Sequence, residues 1–95
     1  MKVKVIYHGL YREITGVREE IVTLKEGSTV KVLLDVLENK YGSDLTGQLI
    51  NFETGQVWSL MALAVNGTII NSDKLYSKLL MNYDEIIFLP PALGG

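Results

Sequence analysis

The chain closes with the segment Asp84-Glu85-Ile86-Ile87-Phe88-Leu89-Pro90-Pro91-Ala92-Leu93-Gly94-Gly95. Residues 86–89 are all apolar, which is typical of a central strand, or of a strand with an exposed face that serves a function. Pro90 and Pro91 end this strand, because proline has no N–H to donate to a sheet and fixes its own φ. The segment therefore predicts a strand that stops abruptly and continues as an exposed tail over residues 89–95.

The N-terminal part of the chain predicts a β-hairpin. Residues 2–8 alternate between two faces and are rich in β-branched side chains, a pattern typical of a half-buried strand. Residues 19–24 predict a second strand, and Lys25-Glu26-Gly27 is a turn signal after it. Between the two strands, residues 10–15 are enough for one helical turn or a loop.

The clearest helix in the sequence follows this hairpin. Its apolar side chains recur at the spacing i, i+3, i+4, i+7 and i+11, at Val30, Leu33, Leu34, Leu37 and Tyr41. Such a stripe predicts an amphipathic helix with one buried face. Ser28 and Thr29 are candidate N-caps. Gly42 stands at the expected C′ position, because glycine adopts the left-handed conformation without a Cβ penalty.

The remaining predicted elements are shorter. In chain order they are a short helix with an irregular or hairpin connection (43–59), a buried strand (60–65), a return strand (68–70) and a short helical turn (75–80). Asn66-Gly67 is the strongest two-residue hairpin signal in the sequence. Together the elements predict an α+β fold, with a mixed sheet of about five strands packed on one main helix, in a single domain of residues 1–95.

Composition excludes several classes of function. With no cysteine and with His8 as the only histidine, the sequence predicts no disulfide, no thiolate nucleophile and no metal site. The nine Lys and Arg residues are scattered and the formal net charge is −2, so nucleic acid is not an expected partner. No apolar run approaches the ~20 residues of a membrane span, and the N-terminus has no signal-peptide pattern. We therefore expect a cytoplasmic protein that does not bind a membrane.

The acidic pairs Glu19-Glu20 and Asp84-Glu85 do not predict an active site. Neighbouring residues of a strand point to opposite faces, so neither pair brings two carboxylates to one substrate. Solvated charges and turn capping account for both pairs, and His8 at a strand end is interpreted as a surface residue. Because nothing assembles a general acid, a base and a nucleophile, the chain is not predicted to be an enzyme by itself.

The terminal Gly94-Gly95 offers different chemistry. Two residues without side chains let an α-carboxylate pass through a narrow channel into the active site of another protein. Pro90 and Pro91 project these residues away from the sheet. A flexible tail or a cloning remnant is the plainer interpretation of Gly-Gly, but the proline pair after a final strand favours the functional one.

Three segments carry a family resemblance. They are Tyr11-Arg12-Glu13-Ile14-Thr15-Gly16 after the first strand, Ala64-Val65-Asn66-Gly67 in the hairpin, and the closing segment 84–95. On these residues the chain resembles the ubiquitin-like β-grasp sulfur carriers, and specifically the small subunits of molybdopterin synthase. The resemblance implies a β-grasp fold. Residues 43–61 fit the family poorly and are interpreted as an elaborated connection.

The resemblance also implies that partner proteins perform chemistry on Gly95. A ubiquitin-activating-like adenylyltransferase would use ATP to adenylate its carboxylate, next to Gly94, and a sulfur donor protein would supply sulfur to make a thiocarboxylate. The tail would then enter the large subunit of molybdopterin synthase and donate sulfur to the pterin precursor of a molybdenum or tungsten cofactor. The chain would bind no cofactor and no metal, as the non-catalytic sulfur-donating subunit of a sulfurtransferase complex.

Alternation along the strands predicts a docking surface for these partners. If Val5 and Phe88 face the helix, their neighbours in the strands face outward, among them Ile6. The predicted partner-binding residues are His8, Ile69, Ile87, Leu89, Pro90, Pro91, Ala92 and Leu93. An exposed apolar patch on a sheet is the kind of surface that binds a partner. In the alternative interpretation, the middle segment of the chain folds over this face.

Three other functions stay open at this point. Gly95 could form an isopeptide bond with target lysines, which would make the chain a protein modifier. A sulfur carrier for thiazole or tRNA thiolation would use the same carboxylate. The plainest alternative is an interaction domain with an incidental Gly-Gly tail. The length and the Pro-Pro-x-x-Gly-Gly ending favour the pterin branch.

Overall fold

The computed structural model describes residues 1–42, 45, 50–51, 56–57, 62–70, 74 and 77–89. In chain order its helices and strands are β1 (Lys2–Tyr7), α1 (Leu10–Thr15), β2 (Glu19–Thr23), α2 (Val30–Tyr41), β3 (Ile50–Asn51), β4 (Gln56–Val57), β5 (Ala62–Val65), β6 (Thr68–Ile69) and β7 (Glu85–Leu89). The predicted N-terminal hairpin is confirmed as β1 and β2, and the segment between them is helical.

Within the described residues, five strands form one mixed sheet in the order β2-β1-β7-β5-β6. Strand β7 lies in the centre, as the closing segment of the sequence predicts. It runs parallel to β1 and antiparallel to β5. The pairs β1–β2 and β5–β6 are antiparallel. A parallel pair of first and last strands, combined with a long helix, is the arrangement of the ubiquitin-like β-grasp, so the predicted fold class is confirmed.

Alternation along the strands separates an inner from an outer face of the sheet. Val3, Val5 and Tyr7 of β1 are at most 1% exposed, and Ile86 and Phe88 of β7 are fully buried. These side chains form one hydrophobic core with the stripe of α2. Burial of each large apolar side chain stabilises the fold by roughly 1.5–3 kcal/mol, so this inner face is the main source of stability.

Helix α2 has the predicted stripe, with Val30, Leu33, Leu34 and Leu37 buried and Tyr41 half-buried. The helix ends at Gly42, whose N–H donates to the carbonyl of Glu38 at 2.7 Å. Gly42 has a φ of 83° and a ψ of −177°, a combination that is essentially open only to glycine. The requirement for glycine is therefore confirmed, although its ψ is extended and not that of a left-handed helix.

Residues 78–80 form an extended bridge to the N-terminus of α2. The Val30 N–H donates to the carbonyl of Lys78 at 2.9 Å. Thr29 is the N-cap residue, but its side chain makes no capping hydrogen bond. The helical turn predicted over 75–80 is therefore wrong at its last three residues, because their backbone pairs with the start of the helix. The first two residues of that range lie outside the described part of the chain.

The β5–β6 hairpin turns at Asn66-Gly67 as predicted, with φ angles of 53° and 84°. The Asn66 side chain also ties this turn to the start of β7. Its Nδ2 donates to Asp84 Oδ1 at 2.8 Å, and its Oδ1 accepts the Glu85 N–H at 2.9 Å. The other carboxylate oxygen of Asp84 accepts the Met81 N–H at 2.8 Å. Turn capping by Asp84 is therefore confirmed.

The connection between α2 and β5 contains a second small sheet, since β3 and β4 pair antiparallel with Ile50 beside Val57. Leu45 from the same connection is helical and fully buried in the main core. The predicted hairpin connection is confirmed at these strands. The rest of residues 43–61 lies outside the described residues, so the alternative in which this segment folds over the outward face of the sheet stays open.

Candidate functional site

The outer face of the sheet carries a row of apolar side chains from four strands. In the strand register Ile6 lies beside Ile87, Ile87 beside Ala64, and Ala64 beside Ile69. Strands of a sheet are about 4.8 Å apart, so the row is roughly 14 Å long. We call these four residues, together with Leu89 on the same face of β7, the outer patch.

Members of the outer patch differ in exposure. Ile6, Ile87 and Leu89 are half-buried, Ala64 is 4% exposed and Ile69 is 62% exposed. The reason is position: β7 has neighbours on both sides, whereas β6 is an edge strand and leaves Ile69 open. The sequence predicts Leu89 as the first residue of an exposed tail, but it is the last residue of β7 and pairs with Ala62.

A groove of about 600 Å³ opens where β1 ends. Exposed His8 lies in this groove, as do Ile6 of the outer patch and the side chains of Arg12 and Arg18. The groove is therefore mixed in character, since Arg12, Arg18 and Glu19 line it together with apolar Ile6 and Val17. Because β1 and β7 run parallel and in register, β7 ends at this same end of the sheet.

The residues predicted to carry the chemistry lie outside the described part of the chain. They are Pro90, Pro91, Ala92, Leu93, Gly94 and Gly95. Their predicted roles stay predictions. The described residues show where this segment begins: it follows Leu89, at the end of the central strand and next to the outer patch.

The adjacent carboxylates Glu19 and Glu20 point to opposite faces of the sheet, as alternation predicts. Glu19 is on the outer face, where its Oε2 lies 3.2 Å from Lys4 Nζ and its side chain is 52% exposed. The Glu20 side chain is only 13% exposed, on the face that α2 covers. The interpretation of both as solvated charges is therefore correct for Glu19 and wrong for Glu20.

Glu20 is the centre of a hydrogen-bond network. Its carboxylate accepts hydrogen bonds from the Tyr7 hydroxyl at 2.7 Å, from Lys40 Nζ at 2.5 Å and from the Tyr41 hydroxyl. Burial opposes ionisation of Glu20, but the three donors outweigh it and hold its pKa below the usual 4.5. Burial, reinforced by the Glu20 carboxylate, raises the pKa of Tyr7 far above 10.0. The network joins the end of α2 to β1 and β2, and it holds no group that exchanges a proton near neutral pH.

Among the described residues, no group of three or more His, Cys, Asp or Glu side chains is placed to hold a metal ion. Over the same residues, no helix has both the length and the apolar character to span a bilayer. The described residues bring together the outer patch, a groove lined by Arg12 and Arg18, and the end of the central strand β7.

Sequence reasoning missed Ala64, the two arginines and the burial of Glu20. Alternation along β2 predicts that Glu20 is buried, because Glu20 lies on the same face of the strand as Val22. Its partner in β1 is Val5, whose side chain points into the core. A signal for Ala64 also existed, because a two-residue turn at Asn66-Gly67 places Ala64 opposite Ile69. No local signal places Arg12 and Arg18 at one groove, since that depends on how α1 returns to β2.

A mixed five-stranded sheet with parallel first and last strands and one long helix defines a ubiquitin-like β-grasp protein. The family model described as the ThiS family matches residues 5–95. The chain therefore belongs to the ThiS family, within the group of small ubiquitin-like sulfur carriers and protein modifiers.

Solved structures with this fold match nearly the whole chain. SAMP1 from Haloferax volcanii is 21% identical with a TM-score of 0.81, and the match covers 100% of both chains. Small archaeal modifier protein 1 from Methanosarcina acetivorans is 26% identical, with a TM-score of 0.77 and coverage of 99% of this chain and 96% of that one. A putative molybdopterin converting factor, subunit 1, from Pyrococcus furiosus is 25% identical, with a TM-score of 0.75 and coverage of 97% and 99%. A search of curated proteins finds no match.

Proposed function

We propose that this chain is a sulfur carrier in molybdopterin synthesis, acting as the small, non-catalytic subunit of molybdopterin synthase. The observation that carries the proposal is the similarity to the putative molybdopterin converting factor subunit of Pyrococcus furiosus, at 25% identity over 97% of the chain. The family match supports it, because that match extends to residue 95 and so includes the terminal glycines.

In this proposal Gly95 is the reacting residue. Its carboxylate attacks the α-phosphate of ATP on a ubiquitin-activating-like enzyme, which gives an acyl adenylate and releases pyrophosphate. The terminal sulfur of a persulfide on a sulfur donor protein attacks the acyl carbon and displaces AMP, which forms a C–S bond and gives an acyl disulfide. A second thiol then attacks the donor's sulfur and cleaves the persulfide's original S–S bond, which leaves the thiocarboxylate on Gly95 and a disulfide on the donor side. Transfer of that sulfur to a pterin precursor follows on the large synthase subunit. All acid–base groups belong to the partners, and ATP is bound by the activating enzyme.

This chain contributes a surface that the partner binds and a C-terminal segment long enough to enter the partner's reaction centre. A partner with an apolar surface would cover the outer patch, since exposed apolar residues such as Ile69 are the ones that gain from burial. Leu89 is held in the central strand by its pairing with Ala62. Six further residues extend at most about 20 Å, so the partner's reaction centre would lie within that distance of Leu89.

The decisive experiment is intact-mass spectrometry of the chain after incubation with an activating enzyme, ATP and a sulfur source. We expect the mass gain of one oxygen replaced by one sulfur, and loss of that gain when the large synthase subunit and pterin precursor are added. The control is the chain extended by one residue beyond Gly95, which should fold equally well and gain no mass. A thiocarboxylate on the extended chain would contradict the proposal.

Protein modification is the second candidate. It is favoured by the similarity to small archaeal modifier protein 1 from Methanosarcina acetivorans, at 26% identity over 99% of the chain. Isopeptide adducts of Gly95 on lysines of other proteins, without sulfur transfer to a pterin, would establish it. A carrier for thiazole or tRNA thiolation would form the same thiocarboxylate, but would leave the pterin precursor unchanged.

A further inference from the structure

Tyr83 is a bulky residue at a strained position of a turn. The Asp84 N–H donates to the Met81 carbonyl at 3.1 Å and closes a four-residue turn, in which Tyr83 is the third residue. Its φ is 69°. Glycine or asparagine is usual at a turn position with a positive φ, because a larger side chain crowds the backbone there. Tyrosine is therefore a costly residue for this turn.

No contact with the described part of the chain compensates for this strain. Asn66 also has a positive φ, but its side chain is stabilised by hydrogen bonds to Asp84 and to the Glu85 N–H. The Tyr83 side chain is 81% exposed and makes no hydrogen bond or ring contact with the described residues. Strain that persists at an exposed site is typical of residues that bind something. Tyr83 therefore indicates a contact outside the chain.

Two more apolar side chains are exposed on the same segment. Leu79 is 51% exposed and Met81 is 62% exposed, while Leu80 between them is buried. The Leu80 N–H donates to the Ser28 carbonyl at 3.0 Å, which fixes this backbone against the start of α2. We call Leu79, Met81 and Tyr83 the ridge. Its ends are at most about 14 Å apart, so one partner surface can cover all three side chains.

Unpaired ammonium groups flank the ridge at both ends. Lys74 and Lys78 line a groove of about 390 Å³ together with Leu79, and no described carboxylate lines it. At the other end, the Lys2 carbonyl accepts the Tyr83 N–H at 2.7 Å. None of these three lysines makes an ion pair with the described residues. Each can therefore pair with a carboxylate of a partner.

The described carboxylates around the ridge face other groups. Asp84 is buried, and its two oxygens accept hydrogen bonds from within the chain. Glu85 lies beside Lys4 in the register of β1 and β7. Glu26, in the turn before α2, lies 3.8 Å from the N-terminal ammonium. The described charges at the ridge are therefore predominantly positive, although the whole chain has a formal net charge of −2.

We propose that the ridge binds an apolar segment of a partner protein that is flanked by carboxylates, with Tyr83 as the anchor. Tyrosine suits this role, since its rigid ring buries a large apolar area and its hydroxyl still forms a hydrogen bond. Carboxylates of the segment would pair with Lys2 at one end of the ridge and with Lys78 at the other. The partner is therefore recognised by acidic residues on both sides of large apolar ones.

This site goes beyond the proposed function. Tyr83 lies at the end of the sheet where β1 and β7 begin, whereas β7 ends at Leu89, four residue steps or roughly 13 Å from Glu85. The ridge approaches the outer patch at Leu79, which lines one groove with Ile69. A partner anchored on Tyr83 therefore leaves most of the outer patch accessible to a second protein.

The test is an NMR titration of the full chain with a capped synthetic peptide of two glutamates, leucine, phenylalanine, leucine and two glutamates. Saturable shifts of the Lys2, Met81 and Tyr83 amides are expected. A matched peptide with lysine in place of each glutamate should bind at least about fivefold more weakly. Equal binding of the two peptides would refute the charge argument, and no saturable binding of the glutamate peptide up to about 1 mM would refute the site.

Tyr83→Gly separates binding from folding. This variant should bind the glutamate peptide at least about tenfold more weakly. The midpoint of its urea denaturation should stay equal or rise, because glycine adopts a positive φ without crowding the backbone. A lower midpoint would give Tyr83 a structural role, and unchanged peptide binding would remove it from the site. Either result would refute the proposal.

A charge reversal at Lys78 locates the acidic flank of the segment. Lys78→Glu should weaken the glutamate peptide at least about fivefold. The matched control is Arg18→Glu, because Arg18 also makes no ion pair with the described residues and its carbonyl bonds Tyr7 at the other end of β1. The control should change binding less than about twofold. Equal losses would mean that the peptide responds to net charge alone and would refute the site.

Two other occupants are outcomes of the same work. A doubling of molecular mass that Tyr83→Gly abolishes, without peptide binding, would identify a second copy of the chain. Binding to vesicles of anionic phosphatidylglycerol, without peptide binding, would identify a lipid surface. Either outcome would refute the proposal. Failure here is distinguishable from failure of the proposed function, since the Tyr83→Gly chain should still acquire a thiocarboxylate at Gly95 with its outer patch unaltered.

Discussion

At the scale of single residues, substitution of Glu20 tests the contribution of a buried hydrogen-bond network to stability. Glu20→Gln removes the charge that three donors share, two tyrosine hydroxyls and Lys40. We expect a loss of about 1–3 kcal/mol in the free energy of unfolding, measured by urea denaturation at pH 7. The control is Glu19→Gln, whose exposed pair with Lys4 should contribute less than about 0.5 kcal/mol. Equal losses from the two variants would mean that the network is not stabilising.

The same carboxyl makes stability depend on pH in a predictable direction. Its pKa is lower in the folded chain than the usual 4.5, so the folded state releases the Glu20 proton more readily than the unfolded state. The stabilisation is therefore complete above the unfolded pKa and is lost as the pH falls through the folded one. The stability gap between the unmodified chain and Glu20→Gln should be widest at neutral pH and should shrink below pH 4.5, in urea denaturation at several pH values. A gap that widens on acidification would contradict this assignment.

At the scale of elements, the β5–β6 turn and the start of β7 behave as one unit. Asn66→Ala removes hydrogen bonds to Asp84 and to the Glu85 N–H, and it places alanine at a φ of 53°. We expect a loss of about 2–3 kcal/mol in the free energy of unfolding. Asn82→Ala is the matched control, because its exposed bond to the Lys2 N–H can be replaced by water, and should cost less than about 1 kcal/mol.

A double-mutant cycle separates the loss of the Asn66–Asp84 hydrogen bond from the strain of alanine at a positive φ. If Asn66 and Asp84 act together, Asn66→Ala should cost less in the background of Asp84→Ala, with a coupling of about 1 kcal/mol. Additive losses would assign the effect of Asn66→Ala to the backbone of the turn and to the bond with the Glu85 N–H. Either result is measured by the same denaturation experiment.

At the scale of the whole molecule, the outer patch is expected to bind the activating enzyme. Ile69→Lys should lower the rate of thiocarboxylate formation at least about fivefold, because it places a charge in the interface, while the free energy of unfolding changes by less than about 0.5 kcal/mol. Met81→Lys is the matched control, since both side chains are 62% exposed and Met81 is outside the patch. Rates are followed by intact mass. Equal effects of the two variants would mean that docking does not use the patch.

The local sequence pattern was enough to predict several elements of the fold. The α2 stripe needs only the helical period, and Asn66-Gly67 needs only the two positive φ angles of a tight hairpin. Residues 78–80 show the opposite case. Leu79 and Leu80 fit a helical turn as well as a strand, and only pairing with the start of α2 decides for the extended form.

The sequence alone therefore determined the inward and outward faces of β1 and β7, the course of α2 and the hairpin turn, because each depends on residues close together in the chain. Tertiary structure decided that Ile6, Ile87, Ala64 and Ile69 form one row. It also decided that Glu20 meets Tyr7 and Tyr41. Both results depend on the register of elements that are distant in sequence, and that register is set by the packing of the whole core.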